Sequence, residues 1–352
     1  MDIHKVETDA FTVEDVVKAH MKDLAIQAKF GVVQIKYWVN TETKMIFCLM
    51  NGPSKEACNQ VHVESHGITA CNIIEVSDDE YNLYLGKGKS VNDLAHTLNG
   101  GIDTGYRTLV LVKMVDLTGK YLHMFDEIKI LVKQYNGNPI IQPDDDILAS
   151  FVFASDAILC ALAIHKILKP IEDNLEFTIT IVSGKPVDEF GNNLFEETKK
   201  KAQNLSAVGL KKIIFIDKET KTLSGKEPIS PNIRKEEFKI INNDDFKFLF
   251  KLLDVLKENL HEPDFKCEEL YSQLGLSKSQ AYRKIKSLTA IAPNQLIQEL
   301  RLRESLACLK QDNKTISEIA FDLGFNSPTY FTKTFRKRFG ITPTSFTRAI
   351  GN

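Results

Sequence analysis

The sequence has no long apolar run, no paired-cysteine motif and no basic leader. Nothing in its 352 residues approaches the roughly 18 consecutive apolar residues that a membrane span requires. The first residues, MDIHKVETDAFTVEDVVKAH, carry acids and a helical pattern where a secretory leader would carry a basic segment and an apolar stretch. The expected compartment is therefore the cytoplasm, with no membrane partner. Six cysteines (Cys48, Cys58, Cys71, Cys160, Cys267, Cys308) are scattered without a C-x-x-C pair, which argues against a disulfide framework or a zinc ribbon and leaves free thiols. There is no solenoid repeat and no low-complexity tract. A composition of 43% hydrophobic and 26% charged residues is that of a globular protein, and the length suggests two or three domains. The net charge of -2 hides an asymmetry. From Ser277 onward there are 13 Lys and Arg against 5 Asp and Glu, a local +8 that leaves -10 for everything before it. Phosphate binding is one use for such a basic end.

Residues 1–86 read as strand, helix, strand, strand, helix, strand. The strands are MDIHKVE, VVQIKYWV, KMIFCLM and CNIIEVS; the helices run from Thr12 to Phe30 and from Ser54 to Gly67. That order predicts a ferredoxin-like α+β domain. Residues 87–104, rich in glycine, read as a linker. A second α+β unit spans 105–217, with strands TLVLVKMVD, NPIIQP, DILASFVF, LEFTITIVS and KKIIFID and three helices between them. Residues 218–243 read as a second linker, and 244–352 as all-helical. The expected fold is thus α/β plus all-α: two ferredoxin-like domains followed by a helical one.

In the helical end, Leu270 and Leu274 belong to a short helix that stops at Gly275. Ser277 and Gln280 then form a capping box for the next helix, SKSQAYRKIKSL. This helix has an apolar face of Ala281, Ile285 and Leu288 and an opposite face of Lys278, Ser279, Tyr282, Arg283 and Lys286. Helix, glycine turn, helix is the unit whose second helix enters the major groove. The unit recurs: Thr315 and Glu318 make a capping box, Gly324 ends that helix, and Ser327 with Pro328 starts SPTYFTKTFRKRFG. There Tyr330, Phe331, Phe335 and Phe339 are expected inside, with Ser327 at the exposed start and Thr329, Thr332, Lys333, Arg336 and Lys337 outside. Between the units PNQLIQELRLRESLACLKQ predicts a helix of about 17 residues, roughly 25 Å long. Such a spacer suits two reading helices about one DNA turn, near 34 Å, apart.

These residues, above all ISEIAFDLGFNSPTYFTKTFRKRFGITPTSF, resemble the AraC/XylS transcription regulators over about 244–350. The resemblance implies double-stranded DNA as partner, with Ser279, Tyr282 and Arg283 facing bases in the first unit and Thr329, Thr332 and Lys333 in the second. Ala290 stands where the family often has glycine in the turn after the first reading helix.

Near the N-terminus, His20, Asp23 and Gln27 share one helix face, and VHVESHG sets His62 and His66 at i, i+4 on the other helix. His4 lies on the first strand. His20, Asp23, His62 and His66 are therefore the candidate metal ligands; the bland alternative is a set of half-buried helix histidines. Through AHMKDLAIQAKFGV, FCLMNGPSKEA and VHVESHG, residues 1–85 resemble a small family of ferredoxin-like nickel-binding or nickel-responsive domains. Imidazole-rich sites suit Ni, Zn and Cu alike. Domains of this shape commonly pair through their sheets, so a homodimer is expected.

In the middle segment Asp116 ends a strand in MVDLTG and Asp145 sits in a turn, two carboxylates of the sort a two-metal phosphoryl-transfer site needs. The segment resembles class III adenylate and guanylate cyclases. By that resemblance the purine-recognising Lys falls at Ile141, the ribose-orienting Asn at Lys200 and the transition-state Arg at Asn204. Loss of these orienting and charge-stabilising groups implies a non-catalytic relative in which Asp116 and Asp145 are degenerate metal positions. Three functions stay open: a DNA-binding regulator that senses a metal ion or small-molecule effector, a nucleotide cyclase with an attached DNA-binding domain, and a metal store.

Overall fold

The structure is a computed structural model that describes all residues except 9–10, 87–92, 142–145, 209–212, 230, 312 and 351–352. The first part contains β1 (Asp2–Lys5), α1 (Val13–Ile26), β2 (Val33–Asn40), β3 (Met45–Asn51), α2 (Lys55–His66) and β4 (Asn72–Ile73). Thr12 and Asp15 close a capping box on α1, Ser54 caps α2, and Gly67 ends α2 in the left-handed region at φ 78°. The helix expected to reach Phe30 ends at Ile26 and finishes in a 3-10 turn, Gln27–Phe30. The sheet order is β4-β1-β3-β2, all antiparallel, with α1 beside α2 on one face. Strand alternation then decides what each face holds. Asp2, His4, Tyr37 and Cys48 lie under the helices, whereas Ile3, Trp38, Phe47 and Leu49 point the other way.

The segment read as a linker after residue 86 is shorter than expected and partly structured. It is preceded by α3 (Asp78–Leu85), and its β5 (Asp93–Leu94) adds to the first sheet beside β2. The α3 helix lies on the middle domain, where Tyr84 O accepts from Arg107 Nε at 3.1 Å and from Ser150 Oγ at 2.9 Å.

The middle part comprises β6 (Arg107–Asp116), α4 (Met124–Gln134), β7 (Asn138–Ile141), β8 (Ile147–Phe151), α5 (Ala154–Leu168), β9 (Leu175–Gly184), α6 (Glu196–Val208), β10 (Ile214–Asp217), α7 (Lys218–Ser224) and β11 (Phe238–Ile241). Its sheet order is β11-β10-β9-β6-β8-β7. The expected linker 218–243 thus holds a helix and a sixth strand, which runs parallel to β10; its short FKII run, between prolines and charges, carries too little period to be read as a strand. Both faces of this sheet are apolar. Val110, Val112 and Ile181 meet α4 and α5. Leu109, Leu111 and Val182 join a second core shared with α6, with the outward face of the first sheet and with the start of the helical end. Gly105 packs on Trp38 and Phe47, so the sheet face expected to pair two chains is covered by the same chain. Any homodimer must use a different surface.

The helical end contains α8 (Asn243–Asn259), α9 (Cys267–Leu274), α10 (Lys278–Thr289), α11 (Pro293–Lys310), α12 (Ile316–Asp322), α13 (Pro328–Phe339) and α14 (Pro343–Ile350). Its two helix-turn-helix units, α9 with α10 and α12 with α13, fall into different cores. Leu270, Leu274, Ile285 and Leu288 of the first continue the core of the middle domain through Leu249, Leu252 and Leu256 of α8. Phe331 and Phe335 of the second, with Phe346 of α14, build a separate core, into which the middle domain inserts Leu117. No helix among the described residues is long and apolar enough to cross a membrane.

Ala290 ends α10 at φ 61°, ψ 0°, the left-handed geometry that glycine adopts without cost. Alanine there stores strain of about 1 kcal/mol. Ala290→Gly should therefore raise unfolding stability by up to about 1 kcal/mol, read from the denaturation midpoint; a loss of stability would show that the turn is not held in this conformation.

Candidate metal centre and nucleic-acid interface

His62 sits at the middle of a buried polar cluster between α1, α2 and the first sheet. Its Nδ1 lies 2.9 Å from Asp23 Oδ2 and its Nε2 lies 3.0 Å from Asp2 Oδ2. The i, i+4 spacing brings His66 beside it, with Nε2 3.3 Å from Asp23 Oδ1, and Ser65 Oγ donates to the same carboxylate. On the other side, strand register puts Asp2 opposite Cys48, whose backbone N–H donates to Asp2 Oδ1 at 2.9 Å. His4 Nε2 comes within 3.4 Å of Asp2 Oδ2, but the buried atom makes no hydrogen bond. Its contact with Asp2 is an ion pair when the ring is protonated, in place of the hydrogen bond a buried polar group normally has.

Two overlapping ligand groups result. Asp2, His4, Cys48 and His62 each offer an atom within 4.8 Å of the others, as do Asp23, His62 and His66. Around a tetrahedral ion with bonds of about 2.1 Å, ligand atoms lie roughly 3.4 Å apart, so the groups need only contract by about an ångström. Of the four ligands expected from sequence, Asp23, His62 and His66 come together. His20 does not join either group; it stacks on Tyr37 with ring centroids 4.2 Å apart. Its place on α1, three residues from Asp23, turns the ring over the strand instead. Residue spacing does not point to Asp2 and Cys48 as ligands, and it places His4 on its strand without joining it to the helix residues. The alternation of β1, which puts Asp2 and His4 on one face, was the available signal.

A neutral imidazole has one N–H and cannot donate to two carboxylates at once; only the charged ring can. Burial works against that charge, yet the hydrogen bonds to Asp2 and Asp23 outweigh it and raise His62 to about 10. Burial alone would also push the two carboxyls up. The imidazoles of His4 and His62 at Asp2, and of His62 and His66 at Asp23, hold both below the usual carboxylate range. Burial, with Asp2 alongside, pushes the Cys48 thiol well up.

The nucleic-acid side is simpler. On α10, Lys278, Ser279, Tyr282, Arg283 and Lys286 are all exposed, while Ala281, Ile285 and Leu288 are buried. The Ser277–Gln280 box fixes the helix start. On α13, Thr329, Lys333, Arg336 and Lys337 are exposed and Ser327 and Thr332 half-buried. Tyr330, expected inside, is 53% exposed and accepts from Gln298 Nε2 of α11 at 2.9 Å; Phe331, Phe335 and Phe339 occupy the inward stripe by themselves. Gly324, between α12 and α13, has φ +74° and lies so close to the His261 carbonyl and the Arg301 guanidinium that a Cβ would meet them at 2.9 Å. Arg338 points away from the exposed face. It grips Glu299 of α11 at 2.7 Å and, with both Nη atoms, Glu176 of β9 at 2.8 and 2.9 Å.

The middle domain's carboxylate is engaged. Asp116 Oδ1 accepts from the backbone N–H groups of Thr118 and Gly119 at 2.8 and 2.9 Å, and Oδ2 from that of Tyr121. It pins the loop that carries Leu117 into the second unit, a structural role for a carboxylate that the sequence reads as a degenerate metal position. Asp145 and the Ile141 side chain lie outside the described residues. Lys200 lies over the Phe250 ring of α8 at 5.6 Å and Asn204 is buried, so α8 packs beside both.

Residues 270–349 match the family model described as a helix-turn-helix domain, and residues 1–76 the model of the nickel responsive protein SCO4226-like family. The chain is 34% identical over 106 residues to histidine kinase P4 of Formosa agariphila, covering 30% of this chain and 8% of that one. It is 36% identical over 86 residues to the HTH-type transcriptional activator RhaS of Mannheimia succiniciproducens, 24% of this chain and 32% of the relative. The crystal structure of SCO4226 from Streptomyces coelicolor A3(2) aligns at 35% identity over 21% of this chain and 90% of that one, with a TM-score of 0.20. The chain thus spans less than a third of the length of these two curated relatives.

Linkage gives the cluster a signature in the metal-free chain. Because folding raises His62, its contribution to stability is complete below about pH 6.5, the unfolded imidazole value, and is lost as pH rises through about 10. The lowered Asp2 and Asp23 contribute above the ordinary carboxylate value and lose that contribution as pH falls. Melting temperatures of metal-free chain should fall from about pH 6 to about pH 10, and Asp23→Asn should flatten that slope; an identical slope in the variant would contradict the ion pair.

Proposed function

From a chain that ends in an AraC-type helix-turn-helix domain and begins with a SCO4226-like one, we propose a transcription regulator. It binds specific double-stranded DNA through residues 244–352 and senses a divalent transition metal through its first domain. The observation that carries the DNA reading is the pair of exposed polar and basic faces on α10 and α13, each backed by a buried apolar stripe and started by a serine cap. A DNA partner makes the cytoplasm its place of work. Lys278, Lys286, Ser327 and Arg336 are assigned to phosphates, which position the helices, and Ser279, Tyr282, Arg283, Thr329, Thr332 and Lys333 to base edges, which specify sequence.

We read both front domains as ferredoxin-like, a view supported in the first by its β4-β1-β3-β2 order with two helices on one face. The boundaries 1–86, 105–217 and 244–352 serve with two amendments: α3 and β11 go with the middle domain on which they pack. In the first domain, the mixture of imidazole, carboxylate and thiol donors suits Ni, Zn or Cu and not Mg or Ca. Either Asp2, His4, Cys48 and His62 or Asp23, His62 and His66 would hold the ion, which would supply fixed positive charge to a cluster otherwise held by the His62 proton. The middle domain is read as a non-catalytic relative of cyclases, a view supported by the engagement of Asp116 and the packing at Lys200 and Asn204. Its work is to hold the second reading unit, through Glu176 on Arg338 and through Leu117. A metal that favours one arrangement of these parts would shift DNA affinity by its difference in affinity for the two.

On duplexes selected from a random library, Arg283→Ala should weaken specific binding by roughly 1 to 3 kcal/mol and relax preference at one position. Equal losses on selected and random DNA would remove its base-reading role. Calorimetry of the full chain with Ni, Zn and Cu tests the sensor. His62→Ala, which removes the ligand shared by both groups, should cost more than the 10- to about 100-fold typical of supporting contacts, and His66→Ala less; unchanged affinity in both returns the histidines to packing.

A further inference from the structure

A cleft with a volume of about 340 Å³ lies where the middle domain meets the helical end. One wall is β6, β9 and α6; the other is α8 and α11. Interiors of proteins are close-packed, and a void of this size between two domains matches the small-molecule sites that domain interfaces commonly form. Its lining is mainly hydrocarbon: Val115 and Ala207 from the middle domain face Leu253, Leu256, Leu260, Leu300 and Leu306. The hydroxyls of Thr178 and Ser206 bond each other at 2.5 Å in its wall and can turn toward an occupant.

The charged groups around the cleft are not equivalent. Glu176 is neutralised by Arg338, Glu304 lies 3.3 Å from His261, Lys113 pairs with Asp146 and Arg303 with Glu299. Lys257, exposed one turn before Leu260, is the lining cation with no ion pair among the described residues. A cleft that is apolar within and carries one uncommitted ammonium selects for a molecule of matching polarity. We propose that this cleft is an effector site for a small amphiphile with a hydrocarbon body and a single anionic group, the body among the leucines and the anion at Lys257. Both domains contribute walls, so an occupant stabilises them in this docked arrangement.

Anilinonaphthalene sulfonate, apolar with one sulfonate, and its neutral analogue phenylnaphthylamine are the probes, titrated by fluorescence into the full chain without DNA or metal. One saturable site per chain is expected for each. Lys257→Glu, on the surface and harmless to folding, should weaken the sulfonate at least about tenfold, as loss and reversal of a nearby charge require, and leave the neutral probe within about twofold. Leu300→Glu, which puts a carboxylate on the apolar wall, should weaken both. Absence of saturable binding, or a sulfonate affinity untouched by Lys257→Glu, overturns the proposal.

Discussion

The arrangement of the molecule follows from a sheet that is apolar on both sides. Along β6, Leu109 and Leu111 face one way and Val110 and Val112 the other, and all four are essentially inaccessible to water. At roughly 25 cal/mol per Å² of buried apolar surface, neither face can be left exposed in a stable fold. The domain's own α4 and α5 cover one side. The other side needs α6 together with material from both ends of the chain: α3 and the outward face of the first sheet from before it, α8 from after it. The parts are therefore welded through a shared core, and not strung on linkers.

That welding is what sequence reading saw least. Periodicity reports that a strand or helix has an apolar face but not which partner covers it. The four antiparallel strands of the first sheet, the capping boxes at Thr12, Ser277 and Thr315, and the recurrence of the helix-turn-helix unit were legible, because each is written in local residue types at fixed spacing. The sixth strand, FKII, was not, since four residues beside charged neighbours have too little pattern. The buried polar cluster was half legible. His62 and His66 announce themselves by i, i+4 spacing, while Asp2 and Cys48 meet only through the register of β1 on β3. Tyr330 went the wrong way because the apolar stripe of α13 needed only the three phenylalanines.

The two reading units stand in unequal relation to the rest. The first shares its core with the middle domain, whereas the second has a core of its own, tied to the middle domain by Leu117 and by the Arg338 ion pairs. That second attachment is a guanidinium bridging two largely buried carboxylates together with one inserted leucine, in place of a continuous core. The two units meet through α11, which packs on both.

The packing of α8 also bears on how the chain is made. Until residues through Asn259 have left the ribosome, the middle sheet lacks the leucines of α8 that complete its second face. The two front domains thus emerge with an apolar surface open, the condition in which nascent chains are prone to aggregate or to engage chaperones. Synthesis of α8 is what begins to relieve it, so only a chain that has already made the start of its helical end can finish folding its front.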